Sequence, residues 1–482
     1  MAARLNALIL FEDEHLLAVN KPSGINTHKP DRFTPDGIYE WLSKRRPRLS
    51  ILHRLDKDTS GVLVFGKSQS ANQSLARQFE SHSVRKEYLL LTARRPTRGL
   101  FRAHTPDAVT EFEFVQPHGR YFLVAARPIT GKTHQIRRHA SDNGFPILGD
   151  AKYGGEPAPR LMLHAHRITL EQGTFEASVP AVFDDVDALV AAREYRGLLF
   201  DENTNAYRLI SGGADGFPDV VVDWYDGRAL VQWQTERRSE ELVSALPARA
   251  VYEQFVTKQK RTKPPVTERF PIGENGLTFL VGLGEGLSPG IFLDQRENRW
   301  RLLAMNLTGK TLLNCFSYTC AFSVAAAKAG ATTASIDLSK NYLAWGQENF
   351  RANGLDPSAH TFLTGDVFEW LRRFEKRQQQ WDIVILDPPT FSTTKRGRAF
   401  QAARDYQELE ERAMGVLAPG GTLLCSTNQR TFTADEFEGT LRAAAKRSGR
   451  VIQSVEFETV PFDFRVAEGE RPYLKTLWAC LE

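Results

Sequence analysis

Cysteine is scarce: the 482 residues hold four, and only Cys315 and Cys320 lie near each other. That is neither a disulfide framework nor a zinc-ligand spacing, so no metal is implied. Long apolar runs are missing as well. Nothing approaches the ~18 residues of a membrane-spanning helix, and "MAARLNALILFEDEH" turns acidic after a short apolar patch without a cleavage pattern. The expected location is the cytoplasm, with no membrane partner. No fixed-period repeat occurs. The strand-to-helix turn within residues 312 to 331 has neither G-x-G-x-x-G nor G-x-x-x-x-G-K-[ST], which removes support for dinucleotide and ATP chemistry.

The length exceeds what one hydrophobic core organises, so two or three domains are expected. Net charge is only +4 but unevenly spread: residues 44 to 98 carry thirteen of the Lys and Arg side chains against few acids. That bias suits a polyanion. A second basic cluster, "KQKRTK" at 258 to 263, precedes Pro264 and Pro265 and reads as a linker. Up to about residue 190, β-branched and aromatic runs alternate with helical stretches, an α+β pattern rich in hairpins. Residues 191–275 read as a small β-rich module. From 276 to 482, "TLLNCF", "ATTASIDLS", "HTFLTGD", "DIVILDPP" and "GTLLCSTN" are short strands separated mostly by helix-length segments, the signature of a parallel, doubly wound sheet.

Between two strand-forming runs stands "HRLDKDTSG", residues 53 to 61. A hairpin would need only a two-residue turn, so Asp56 is a candidate for chemistry and the bland alternative is a loop of Asx and Ser/Thr turns. With "KEYLLL" at 86 to 91, "GKTHQIRRHASDNGFPILGDAKYG" at 131 to 154 and "LMLHAHRITL" at 161 to 170, the first region closely resembles the RluA/TruC-type pseudouridine synthases over roughly residues 1 to 180. The resemblance implies that Asp56 is the nucleophile, that Tyr88 contacts the uracil and moves a proton, and that Arg137 pairs with Asp56. It also implies nucleic-acid contacts from Arg54, which would fill the gap left by a flipped nucleotide, and from Lys132 and His134. Lys132 stands where many relatives have Arg, which keeps the charge and loses the planar fork. No separate S4-type RNA-binding domain is expected ahead of this region.

Isomerising uridine breaks the ribose–nitrogen bond, rotates the uracil and rebuilds the bond at carbon 5. A carboxylate serves by covalent attack or by drawing off a sugar proton, and both routes stay open. An arginine keeps that carboxylate ionised, and a tyrosine both stacks on the base and exchanges a proton. This chemistry needs no cofactor.

In the third region Asp337, Asp366 and Asp387 each fall at a strand end, where ligands of such folds gather, and an acid there can bind ribose hydroxyls. "GLSPGIFLDQRENR", "NCFSYT", "IDLSKNYLAWGQENF" and "DPPTFS" strongly resemble class I S-adenosylmethionine-dependent methyltransferases of large-subunit rRNA, the RlmI and RlmK type, over roughly residues 270 to 482. The resemblance implies a Rossmann-like domain that takes S-adenosylmethionine as cofactor. Asn314, Phe316, Ser317, Tyr318 and Thr319 would form the cofactor turn, Asp337 would bind the ribose, and Asp366 would lie by the adenine. Asp387, with Pro388 and Pro389, would line the methyl-transfer site. Phe292 and the segment Asp294, Gln295 and Arg296 would close over the cofactor. Cys320 stands where relatives usually have Gly. The β-rich module resembles the small domain that precedes this methyltransferase, in an RNA-orienting role. Each acid could instead be a helix cap or solvated loop residue.

The whole reads as a multidomain fusion: an α+β synthase domain (1–190), a β-rich module (191–275) and an α/β methyltransferase domain (276–482), acting on 23S rRNA. Duplex DNA is not expected, because of the basic synthase domain. The competing class is an assembly factor with one domain decayed into an RNA-docking module. For the methylated atom, carbon 5 of cytosine needs a thiolate to attack the ring, and Cys425 is the only plausible one; its blander reading is a small apolar strand residue. "DPPTFSTTKRGRAF" and "STNQRTF" look closer to the RlmK-type guanine methyltransferases. Guanine N7 is therefore the expected acceptor, with cytosine carbon 5 as runner-up.

Overall fold

The computed structural model describes residues 8–257, 259–285, 288–393 and 399–482. Lys258, Gly286, Leu287 and residues 394–398 of "TTKRGRAF" lie outside them. The chain forms two compact units. The first holds residues 1–30, 36–201 and 209–221; the second holds 31–35, 202–208 and 222–482. Residues 191–275, expected as a module of their own, are shared between the two units.

The first unit is built on a ten-stranded sheet. Its main strands are β1 (Ile9–Glu12), β2 (Leu16–Lys21), β3 (Ser60–Gly66), β4 (Arg85–Thr92), β5 (Leu100–Thr105), β6 (Ala108–His118), β7 (Tyr121–Pro128) and β8 (Leu163–Leu170), with helix α1 (Gln135–Asp142) following β7. The spatial order is β1-β2-β3-β8-β4-β7-β6-β5, and all but the β3–β8 pairing are antiparallel. Strand β3 is buried along its whole length, which its run "SGVLVFG" anticipates.

The second unit contains a seven-stranded sheet. Strands β9 (Thr311–Cys315), β10 (Thr332–Asp337), β11 (Thr361–Thr364), β12 (Trp381–Leu386) and β13 (Leu417–Thr427) are parallel to their neighbours, while β14 (Ile452–Glu458) and β15 (Lys475–Leu481) add an antiparallel edge. The order β11-β10-β9-β12-β13-β15-β14 reverses direction at β9, so the crevice at the carboxyl ends of β9 and β12 is the topological switch point. Helices α2 (Ala321–Lys328), α3 (Lys340–Ala352) and α4 (Val367–Lys376) cross between the first strands. Apolar side chains pack on both sides of the sheet: Leu312, Ile383 and Leu424 in one core, Leu313, Val384 and Leu423 in the other. All five expected strands are present. In the former β-rich stretch, Arg228–Trp233 and Ala250–Phe255 pair in parallel, not as a hairpin. Among the described residues no helix is long and apolar enough to cross a membrane.

One glycine is decisive for the first unit. Gly61 ends the "HRLDKDTSG" loop at φ 110°, and a Cβ there would lie 2.2 Å from the Ala165 carbonyl oxygen of β8. Gly61→Ala must either part β3 from β8 or distort both, a cost of about 1–3 kcal/mol. Differential scanning calorimetry should show the first unit's transition several degrees lower; an unchanged transition would refute this account of the junction.

Candidate active sites

In the first unit, Asp56 sits in a loop that the preceding "NKPSG" segment holds from beneath. Lys21 is fully buried at the end of β2, and its Nζ donates to three carbonyls: Pro22 at 2.9 Å, Ile25 at 2.8 Å and Lys57 at 3.0 Å. Those three bonds use every donor of an ammonium. Ser23 Oγ donates to Asp58 O at 2.7 Å and the Gly24 amide to Lys57 O at 2.8 Å. The hydroxyl of Thr27 donates to Leu55 O at 2.9 Å while accepting from Leu55 N at 3.1 Å. The local turn closes through Thr59 N to Asp56 O at 3.1 Å. The turn reading is therefore correct for the backbone, and it leaves the Asp56 carboxylate free.

That carboxylate, 28% exposed, lines a cavity of about 980 Å³ together with Tyr88, Lys86, His134 and Arg137. Tyr88 lies on β4 next to a register shift, and its pKa is raised by burial and then by Asp56, so the phenol keeps its proton. Arg137 forms an ion pair with Asp56, Nη1 to Oδ2 at 3.8 Å, too long for a hydrogen bond, while its fork grips Asp150, Nε to Oδ2 at 2.7 Å and Nη2 to Oδ1 at 2.8 Å. Asp150, whose side chain is fully buried, anchors the arginine in front of Asp56. His134 starts α1 at φ 53°, contacts the Tyr153 hydroxyl at 3.0 Å and approaches Asp56 to 3.9 Å; burial lowers its pKa. Arg54 and Lys132 are exposed at the cavity, and Lys132 pairs with Asp107 at 3.6 Å. Asp150 lies in the quoted "GDAKYG" and Lys21 in "NKPSG". An Asp and a Lys beside glycine-rich turns were the available signals.

In the second unit, Asp337 ends β10 with both carboxylate oxygens oriented by backbone amides, Tyr318 N to Oδ2 and Ser339 N to Oδ1, each at 2.8 Å. One lone pair on each oxygen remains for a pair of vicinal hydroxyls. Burial raises its pKa. The turn before α2 is left-handed at Phe316 (φ 59°), Tyr318 (φ 48°) and Cys320 (φ 62°). Cys320 thus keeps the conformation for which glycine is preferred, and Gly346 makes room for it, since a Cβ there would lie 2.4 Å from its Sγ. The side chains of this turn are mostly engaged elsewhere. Asn314 donates to Ser323 Oγ at 3.0 Å, Thr319 to Gly290 O at 2.6 Å and Tyr318 to Ser288 O at 2.9 Å, while Ser317 is buried. What the turn offers is backbone and aromatic face: Phe292, 48% exposed, lies 5.4 Å from the Tyr318 ring. A nucleoside with free ribose hydroxyls fits these acceptors and faces. Asp366 accepts from Glu369 N at 3.1 Å, the helix-cap alternative.

The "LDQR" segment does not close as a flap. Gln295 and Arg296 are 2% and 1% exposed. Gln295 Nε2 donates to Ser426 Oγ at 2.7 Å and approaches Asp387 Oδ2 at 3.2 Å, and Asn298 holds its Oε1 at 2.6 Å. Arg296 grips Asp463, Nη1 to Oδ1 at 2.8 Å and Nη2 to Oδ2 at 3.2 Å. Of this segment and the residue before it, Phe292 is the exposed one. Asp294 accepts from the Tyr473 hydroxyl at 2.7 Å. Asp387, followed by buried Pro388 and exposed Pro389, is pushed up to about 7 by burial and by neighbouring Asp294. Cys425 is fully buried on β13, opposite Leu386 and Leu477, and burial holds its thiol well above the ordinary range. Asp463 and Tyr473 had no motif to mark them. Among the described residues no group of three or more His, Cys, Asp or Glu is placed to hold a metal.

A family model described as "RNA pseudouridylate synthase" matches residues 15–142, and one described as "S-adenosylmethionine-dependent methyltransferase" matches residues 207–466. The chain is similar to "Putative ribosomal RNA large subunit methyltransferase YwbD" of Bacillus subtilis, 38% identical over 70% of this chain and 88% of that protein. It is 34% identical to "Ribosomal RNA large subunit methyltransferase I" of Yersinia pseudotuberculosis over 53% of this chain and 69% of that one. A solved methyltransferase from Streptococcus mutans, S-adenosylmethionine-dependent by its description, matches with TM-score 0.54 at 29% identity, over 64% of this chain and 85% of that one. A further solved methyltransferase, complexed with SAH, matches with TM-score 0.55 at 28% identity, over 70% and 89% of the two chains.

Two outcomes are expected. Burial pushes Lys21 down to about 7 against the pull of Asp58 and Asp56, from an ordinary value of ~10.4. Between those values the unfolded chain holds a proton that the folded chain has released. Stability therefore rises with pH across that window, by up to ~1.4 kcal/mol per unit. Lys21→Met should lose this slope in denaturation series and lower pseudouridine formation at least about tenfold by leaving buried carbonyls unpaired; parallel pH curves for the two proteins would argue against it. Asp337→Ala should weaken S-adenosylmethionine binding by ~1.5–3 kcal/mol, the worth of a charged acceptor, measured by titration calorimetry.

Proposed function

Because the chain belongs to the S-adenosylmethionine-dependent methyltransferases and carries an RNA pseudouridylate synthase domain, we propose that it modifies large-subunit ribosomal RNA twice. The first unit isomerises a uridine and the second methylates a guanine at N7. The observation that carries the double activity is that neither site has decayed. Asp56, Tyr88 and Arg137 share one cavity, while Asp337 and Asp387 stand at the carboxyl ends of β10 and β12 with their hydrogen-bonding partners in place. An assembly factor with one docking domain would not need both sets.

In the first unit Asp56 is the group that attacks the target nucleotide or removes its sugar proton. Arg137, held by Asp150, supplies positive charge beside it. Tyr88, still protonated, can donate its phenolic proton to N1 of the uracil once that nitrogen is freed from the sugar, and take back the proton that carbon 5 loses after the new bond forms. Arg54 at the rim takes the place of the flipped nucleotide.

In the second unit S-adenosylmethionine, when bound, supplies an electrophilic methyl group. Asp337 would hold its ribose, and Phe292 with Tyr318 would cover it. Asp387, oriented by Gln295, borders the incoming base. Support for a ring nitrogen as acceptor comes from the thiols. Cys315, Cys320 and Cys425 are all fully buried with raised pKa values, so none provides the thiolate that carbon-5 methylation needs. Nitrogen 7 of guanine brings its own lone pair and requires only alignment.

One experiment separates the activities. Unmodified rRNA is incubated with wild type, Asp56→Asn and Cys425→Ser, then digested and read by mass spectrometry. Wild type should form pseudouridine and 7-methylguanosine. Asp56→Asn should lose only pseudouridine, and Cys425→Ser should lose neither. Pseudouridine from Asp56→Asn at the wild-type rate, or 5-methylcytidine as the methylated product, would overturn the corresponding half.

A further inference from the structure

Strands β12 and β13 run parallel with Leu386 opposite Cys425, so the residues that follow, Asp387 and Ser426, are neighbours at the switch-point end of the sheet. Gln295 touches both. A second bridge lies a few residues further along the same two chain segments: the Thr390 hydroxyl donates to Asn428 Oδ1 at 2.6 Å. Both residues are exposed. This contact commits the amide oxygen of Asn428 to the protein, so the side of the carboxamide left for a ligand is its NH2, a pure donor. One exposed cation stands at the same strand end: Arg430 follows two residues after Asn428, whereas Lys475, in register with Thr427, is buried and donates from Nζ to Tyr473 O at 2.9 Å. The carboxyl end of β13 thus offers one fixed donor and flanking positive charge beside Asp387.

We infer that Asn428, locked by Thr390, is the residue that selects the methylated base, donating from its amide to O6 of a guanine. The inference rests on guanine N7 being the acceptor. The major-groove edge of guanine presents two acceptors, O6 and N7, whereas adenine presents an amino donor in place of O6. A donor aimed at O6 holds guanine by one atom and leaves the adjacent N7 lone pair unengaged. The same donor meets an amino group in adenine, and neither partner can then be satisfied, which discriminates more strongly than a missing contact. Thr390 acts through Asn428 and is a positioning residue: without its hydroxyl the carboxamide is free to turn its oxygen outward. Exposed Arg430 suits a phosphate beside an extruded nucleotide.

The test uses the full chain with unmodified large-subunit rRNA. Asn428→Asp replaces the donor by acceptors, and Thr390→Val releases the amide without altering it. The readouts are kcat and KM for RNA, S-adenosylmethionine affinity by calorimetry, and the methylated nucleosides after digestion. Asn428→Asp should lower kcat/KM about 10- to 100-fold, the range for an unpaired buried polar group. Thr390→Val should lower it about two- to tenfold, with methyladenosine rising as a share of product in both. Cofactor affinity should stay within about twofold of wild type, as expected of residues outside the cofactor turn. If wild type forms 7-methylguanosine and both variants keep kcat/KM within about threefold with the same product, base selection lies elsewhere while the proposed function stands. If wild type forms 5-methylcytidine, the guanine reading fails and this inference with it.

Discussion

The first candidate site depends on a single buried lysine. Lys21 is removed from water, a placement that would cost several kcal/mol if its ammonium were unpaired, and the surrounding chain is shaped to prevent that. The backbone from Pro22 to Ile25 curls so that two carbonyls face Nζ, and the Asp56 loop contributes the third through Lys57. Because the loop carbonyl is one of the three carbonyls that Nζ meets, a shift of the loop leaves a buried donor unsatisfied. The result is a rigid seat for Asp56, built by its own neighbour in sequence and by a segment 36 residues earlier. A side chain exposed to substrate is thereby held by groups that substrate does not touch.

The second unit uses the same principle with the signs distributed differently. Asp463 accepts from both outer nitrogens of Arg296 and from the Arg208 amide, and Arg299 forms a two-point contact with Glu274 at 2.6 and 2.7 Å. These buried pairs connect the start of the module, its hairpin, the "LDQRENR" helix and the C-terminal segment. Buried ion pairs add little net stability compared with apolar packing, yet breaking one is costly. Their effect here is positional: the helix that carries Gln295 is fixed, and with it the hydrogen bond to Asp387. Covering a ligand then falls to the exposed ring of Phe292.

The two candidate carboxylates sit in contrasting surroundings. Asp56 is partly open to solvent with Arg137 and His134 nearby. Asp387 is pushed up to about 7 by burial and by the charge of Asp294. The first arrangement suits a group that must be ready to attack. The second suits one whose charge responds to what enters beside it, such as a cationic cofactor or a base that becomes cationic on methylation.

Much of this was legible in the chain itself. The five parallel strands could be read because strands buried on both faces are short apolar runs, and the acids at the ends of β10 and β12 could be read because polarity resumes where the sheet meets solvent. The loop around Asp56 could be read because a hairpin does not need so many charged residues. What could not be read were pairings between distant segments: Asp150 gripping the arginine that faces Asp56, Asp463 reaching Arg296 across 167 residues, Arg228–Trp233 lying parallel to Ala250–Phe255, and residues 191–275 divided between two units. Spacing along a chain reports local periodicity and turn chemistry, so the sequence by itself determined the strands, the turns and the kinds of group each site would contain. Which charge meets which is set by packing among segments far apart in sequence, and only the tertiary structure decided that Arg137 is gripped by Asp150 while facing Asp56, that "LDQR" is a buried brace, and that Cys425 lies buried in the sheet.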